Sequence, residues 1–185
     1  DPRLSGNQTQ SCGSCHRQEL SFTDALPVSV GSTGESTPRG SMSLLNVAYH
    51  PRLTWANPVL ERLEDQALVP MFGEHPTELG TPEEPELVAR FAGDPMYVEL
   101  FAAAFPDAPD PITLGNIVRA IASFERSMIS GDSPFDRYVY GNDDAALSES
   151  ARRGLELFNS ERLECFHCHG GFNFTDSVAH DGSVS

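Results

Sequence analysis

Apolar positions in this chain recur at helical spacing, and no convincing strand alternation appears. The clearest stretch follows Thr113, a helix-capping residue type. Leu114, Ile117, Val118, Ile121, Phe124 and Met128 continue from it as an apolar stripe that carries Glu125 along, and the pattern stops at Ser130-Gly131. Ser148 caps a second helix through about Phe158. Pro82 and the Glu83-Glu84 pair mark the start of a helix from Pro85 to about Phe91, and Asp94-Pro95 restarts the pattern for Met96 to Phe105. Leu60, Leu63 and Ala67 share one face, which predicts a helix over 58–68, ended by Pro70 and Gly73. Residues 27–43 are rich in Gly, Ser, Thr and Pro and read as a long irregular loop, as does the stretch SPFDRYVYGNDD. The expectation is a mainly α, loop-rich protein.

Composition narrows the function classes. The chain has 185 residues, enough for one domain or two small ones. Its formal net charge of −15 argues against nucleic-acid binding, since nothing here neutralises phosphates. The same charge serves solubility and can steer a basic or neutral partner protein. No apolar run is long enough to span a membrane. No signal peptide is visible, and Asp1-Pro2-Arg3 reads as a processed or trimmed start.

The cysteines carry the chemistry. All four fall in two C-x-x-C-H units, Cys12-Gly13-Ser14-Cys15-His16 and Cys165-Phe166-His167-Cys168-His169. The spacing sets two thiols a helical turn apart, where they can add to the two vinyl groups of one haem, and the next His can reach the iron. Three other readings fit less well. Two short disulfides would leave the histidines without a role. Zinc-finger spacing separates the Cys pair from the His pair. A thioredoxin-like motif needs a βαβ context. Each His16 and His169 is therefore a candidate iron ligand, with Cys12, Cys15, Cys165 and Cys168 as attachment points, the first motif lying on a short helix entered from Ser11. The motifs lie near opposite ends of the chain, which predicts two c-type cytochrome-like domains, 1–141 and 142–185, each around one covalently bound haem. Covalent haem of this kind is attached outside the cytoplasm, so a periplasmic, exported bacterial protein is expected.

Taken in order, the blocks SCGSCH, SFTDALPVSVGSTGESTPR, SMSLLNVAYHPRLTWANP, LEDQALVPMFGEHPTELG, RAIASFERSMISGDSPFDRY, LSESARRGLELFNS and CFHCHGGFNFTD resemble the bacterial di-haem cytochrome c peroxidase family. Within it they are most similar to the MauG-like branch and its MbnH-type di-haem enzymes. The resemblance implies that the haem on His16 reacts with peroxide and the haem on His169 transfers electrons. It places Trp55 as a relay between them. Gln66 and Glu78 fall in the stretch lining the distal side of the first haem. Glu78 would be the acid/base during O–O cleavage, Gln66 would hold water or peroxide, and Pro70 would cap the pocket. Read without the family, Trp55 is a core anchor and Gln66 and Glu78 are solvated polar residues. Phe172 and Phe174 could flank the second haem or simply pack. His50, His75, His167 and His180 are candidates for a sixth iron ligand, with surface or cap roles as the simpler reading.

Two departures from the family bear on mechanism. The loop GSTGES has no His where related peroxidases carry one that blocks the first iron, which predicts a first haem with an open sixth position. Gly40 stands where related sequences often have an Asn that helps bind calcium between the domains, with Asn46 as a weak substitute. The family also continues past the second motif, through a stretch carrying the second haem's distal ligand (Met, or Tyr in the MauG-like branch), so 142–185 is expected to be the start of an incomplete domain. The implied activity is a peroxide-dependent oxidoreductase. It would form a two-ferryl state and oxidise a residue of a partner protein, in MbnH-type relatives a tryptophan converted to kynurenine. The alternatives are a peroxidase that reduces hydrogen peroxide with electrons from a small cytochrome or cupredoxin, and a non-catalytic di-haem electron carrier.

Overall fold

The computed structural model describes residues 1–55 and 57–175. Seven α-helices occur among them: α1 Cys12–Cys15, α2 Leu63–Phe72, α3 Glu84–Ala92, α4 Pro95–Ala104, α5 Leu114–Arg126, α6 Pro134–Val139 and α7 Glu149–Phe158. Strand pairing among the described residues is limited to isolated bridges, such as Val30 with Ser36. The mainly helical fold matches the periodicity. The chain forms two compact units, one of residues 1–48 and 52–128, the other of 49–51 and 129–185.

In the first unit α2 packs on α5, and α3 on α4 and α5. Thr113 caps α5 as expected, its hydroxyl accepting from the Asn116 N–H at 3.1 Å. Asp94 caps α4 by accepting from the Met96 N–H at 3.0 Å, with Pro95 at the first helical position. α3 carries Glu84 and Glu86 in its first turn and Arg90 in its last, in line with the helix dipole. Its Leu87 and Phe91, one turn apart, are buried with Leu4, Met71, Leu79, Phe101, Ile117 and Val118. A second cluster joins Val47, Leu53, Leu63 and Ala122, with Leu60 against it. Arg90 ties the N-terminal segment to α3 by donating to the carbonyls of Arg3, Ser5 and Gly6.

Two expectations are corrected. The helix predicted over 58–68 begins at Leu63, because Asn57 Oδ1 accepts from the N–H groups of Val59 and Leu60 and holds them in a turn. It then runs through Pro70 to Phe72, so Pro70 lies inside it and Gly73 alone follows its end. On α5 the buried stripe turns at Ala122 to Glu125, while Phe124 is 63% exposed.

In the second unit, the stretch read as a loop contains α6. Ser133 and Asp136 form a capping box with Pro134 at the first helical position, a start signal present in the sequence. Ser148 caps α7 as expected. Phe174 packs against Phe135 and Phe158, with ring centroids at 4.6 and 5.7 Å.

Candidate functional site

Both C-x-x-C-H units orient their histidine through a backbone carbonyl, although the first is an α-helical turn and the second a 3-10 turn. In the first unit, α1 is a single turn held by a capping box between Ser11 and Ser14, with Cys12 at its start and Cys15 at its end. The His16 N–H donates to the Cys12 carbonyl at 2.8 Å. His16 Nδ1 lies 2.9 Å from the carbonyl oxygen of Phe22. A carbonyl only accepts, so Nδ1 carries the proton and Nε2 keeps its lone pair for a metal. Two consecutive left-handed residues, Ser21 at φ 58 and Phe22 at φ 59, turn that carbonyl toward the imidazole. Such conformations cost about 1–3 kcal/mol each and persist where the surroundings hold them.

The second unit repeats the device. His169 Nδ1 lies 3.1 Å from the Phe174 carbonyl, and Asn173 and Phe174 are again consecutive left-handed residues at φ 65 and 53. Sequence reasoning missed these two carbonyls. Their signal is an internal repeat: Ser21-Phe22-Thr23-Asp24 after the first motif and Asn173-Phe174-Thr175-Asp176 after the second. Beside Phe174 lies an apolar cleft of about 230 Å³, lined by Phe135, Leu147, Ala151, Leu155 and Phe158. Paired cysteines, an imidazole oriented through Nδ1 and a greasy cleft fit a haem and its iron.

Glu78 comes near the first motif, where it feels the charge of His16. Its segment is stitched to the loop after α1: the Ser32 N–H donates to the Glu78 carbonyl at 2.6 Å and the Thr77 N–H to Glu35 Oε2 at 2.8 Å. Gly31 allows this approach, since a Cβ there would sit 1.9 Å from the Thr77 carbonyl oxygen. Burial pushes the half-buried Glu78 carboxyl above its usual range, and the neighbouring His16 pulls it back. Burial likewise raises the Cys15 thiol, with Asp24 and Glu78 adding to it. Glu78, Cys15 and His16 thus share one electrostatic neighbourhood.

Gln66 and Pro70 stand one turn apart on α2 and are both part-buried. The Pro70 carbonyl accepts from the Leu79 N–H at 2.9 Å, which joins the end of α2 to the residue after Glu78. Trp55 stands apart from this group. Its Nε1–H donates to the Gly40 carbonyl at 3.0 Å, and the Arg39 guanidinium lies 5.1 Å from its ring centroid. At 51% exposure it is not the core anchor that a lone tryptophan usually is. Asn46 is buried, and its N–H donates to the Met128 carbonyl at 2.8 Å. Among the described residues, the one set of three close His, Cys, Asp or Glu ligand atoms is the exposed Glu161, Glu164 and His167, away from Gly40 and Asn46 in sequence. Of the other sixth-ligand candidates, His50 is half-buried, His75 is exposed, and His167 stacks on Phe166 with centroids at 4.2 Å. His180 lies outside the described residues.

The sequence pattern of di-haem cytochrome c peroxidases matches residues 1–144. The chain belongs to that family. Methylamine utilization protein MauG of Methylorubrum extorquens strain AM1 is 35% identical over 181 residues, 98% of this chain and 49% of that protein. Cytochrome c551 peroxidase of Pseudomonas aeruginosa is 34% identical over 174 residues, 94% of this chain and 48% of that protein. A crystal structure of a MauG-like protein associated with microbial copper homeostasis superimposes with a TM-score of 0.92 at 46% identity, over 100% of this chain and 53% of that one. The diheme peroxidase BthA from Burkholderia thailandensis gives a TM-score of 0.79 at 26% identity, over 96% of this chain and 50% of that one. The chain spans about half the length of these relatives. The family's members are haem oxidoreductases, named both as peroxidases and as MauG. No helix among the described residues is long and apolar enough to cross a membrane.

Proposed function

We propose that this chain supplies the peroxide-reacting half, and the start of the electron-transfer half, of a periplasmic enzyme that uses hydrogen peroxide to oxidise a residue, a tryptophan, of a partner protein. The observation that carries the reading is Glu78, a half-buried carboxyl in the neighbourhood of His16, on a segment held by backbone hydrogen bonds. Cys12, Cys15 and His16 would hold one haem, and Cys165, Cys168 and His169 would hold the second. A bound haem supplies the iron that cleaves peroxide and stores the oxidising equivalents.

The chain's own groups handle the protons and the electron path. Phe22 fixes the His16 tautomer through Nδ1. Glu78 in its ionised form takes a proton from the incoming peroxide and returns it to the departing oxygen. Its raised carboxyl brings it nearer the working pH, where proton transfer in both directions is efficient. Gln66 hydrogen-bonds the peroxide, and Pro70 restricts the pocket to small ligands. Trp55 carries electrons between the two haem sites, and Arg39 on its face disfavours a lasting positive charge on the indole. Calcium is a further ligand the family implies, with Asn46 as its candidate here.

The 46% identity to the MauG-like protein favours this reading. The second reading is peroxide reduction with electrons from a small redox protein, favoured by the 34% identity to cytochrome c551 peroxidase. Mass spectrometry of a candidate partner, incubated with the full-length protein and peroxide, separates them. Oxidised partner tryptophan supports the first. An unmodified partner, with peroxide consumed only when a reduced cytochrome or cupredoxin is present, supports the second.

A further inference from the structure

α5 turns one ionisable side chain into the first unit. Glu125 is 7% exposed, one turn beyond the fully buried Ala122. Its Oε2 is buried and has no hydrogen-bond partner among the described residues. Leaving such an oxygen unsatisfied is unfavourable, and more so when it is charged. Three groups bear on it. Arg126, next on the helix, is committed to Glu64 of α2 through bonds of 2.8 and 3.0 Å. Glu64 adds a like charge. Cys12 of α1 packs against the core cluster that holds Ile117 and Val118 of α5, and the charge of Glu125 adds to the burial that raises its thiol. The interior carboxyl of α5 thus sits on the helix that packs with the cysteine that would anchor the first haem.

We infer that Glu125 is the redox-linked proton acceptor of the first haem site, binding one proton when that site gains one electron and releasing it when the electron leaves. The inference rests on the reading that Cys12, Cys15 and His16 hold a haem. A one-electron reductant supplies the electron. One proton moves from solvent to Oε2, an O–H bond forms, and the unit's net charge is unchanged. The physical cause is poor screening: an electron added near a buried carboxylate is repelled, and protonation removes the repulsion. The carboxyl is already pushed up to about 7, by burial first and by Glu64, against the pull of Arg126. A small change in nearby charge is enough to tip it. Glu78, which faces His16 and Cys15, is the group to be distinguished from it.

The test is a spectroelectrochemical titration of the full-length di-haem protein across neutral pH, with native, Glu125→Gln and Glu78→Gln proteins compared. The native midpoint potential of the first haem should fall as pH rises, toward a limit of about 59 mV per pH unit for one proton per electron. Glu125→Gln should lose most of that slope and Glu78→Gln should keep it. Redox-difference infrared spectra should show a carboxylic-acid carbonyl band on reduction that is absent from Glu125→Gln. Equal slopes in native and Glu125→Gln, or a band that vanishes only in Glu78→Gln, would overturn the inference. If Glu125→Gln does not accumulate, native protein labelled at glutamate decides, and no glutamic-acid band on reduction overturns it. A single haem per chain, attached only at the second motif, would instead overturn the underlying reading.

Discussion

A single methyl group at position 31 tests whether the placement of Glu78 controls peroxide chemistry. In Gly31→Ala the new Cβ would lie 1.9 Å from the Thr77 carbonyl oxygen and 3.0 Å from the Glu78 Cα. All of the closest atoms are backbone, so no rotamer can yield. To reach ordinary contact, the Glu78 segment must move away from the loop by at least about 1 Å, and misplacement of that size costs about 10²-fold in rate. The overpacking should also cost about 1–3 kcal/mol of stability. Gly34 in the same loop is the control. It has φ 91 with nothing among the described residues within 4 Å of a Cβ, so Gly34→Ala meets backbone strain and no described neighbour. Stopped-flow absorbance of the ferric full-length protein mixed with peroxide reads the rate, and thermal melting reads the stability. Gly31→Ala should react about 10²-fold slower with both haems still attached, and Gly34→Ala at the native rate. A native rate in Gly31→Ala, with its melt lowered as expected, would show that the position of Glu78 does not govern the reaction.

The Glu64–Arg126 pair makes a pH prediction. Arg126 holds the Glu64 carboxyl down at about 2 by hydrogen bonding. A carboxyl depressed in the fold stabilises above its unfolded value near 4.5 and loses that contribution as pH falls toward 2. Because Arg126 is 45% exposed, solvent screening reduces the effect to about 1 kcal/mol. Arg126→Met should therefore lower the urea midpoint at pH near neutral and converge on native at strongly acid pH; a constant gap would contradict the assignment. Leu87→Ala, at a fully buried position, should cost about 2–5 kcal/mol in urea unfolding, and a loss under 1 kcal/mol would place the core elsewhere. Trp55→Phe should leave peroxide binding unchanged and slow oxidation of the partner at least about tenfold, equivalent to 1.4 kcal/mol of barrier; an unchanged partner rate would remove Trp55 from the path.

Where local signals agreed with packing, the sequence was readable. Thr113 and Ser148 start α5 and α7 because both carry a side-chain cap before an amphipathic run. The start of α2 was misplaced because the Asn57 turn captures two N–H groups that periodicity cannot see. α6 was missed although Ser133-Pro134 and Asp136 spell a capping box, since the Gly and Asp residues after it outweighed a six-residue helix. The haem motifs were legible as spacing alone. The carbonyls of Phe22 and Phe174 were not, because their role depends on paired left-handed residues that leave only a short repeat in the sequence. Glu125 was hidden for a different reason. Periodicity put both Phe124 and Glu125 on the stripe, and hydrophobicity chooses the phenylalanine, whereas the fold buries the carboxyl.

The most direct test of the account is electron paramagnetic resonance of the ferric full-length protein, before and after stoichiometric hydrogen peroxide without added reductant. With no His in GSTGES to block the first iron, the account predicts a high-spin signal that disappears on peroxide addition, together with a near-infrared charge-resonance band. Low-spin haem alone, unreactive until one haem is reduced, would contradict it.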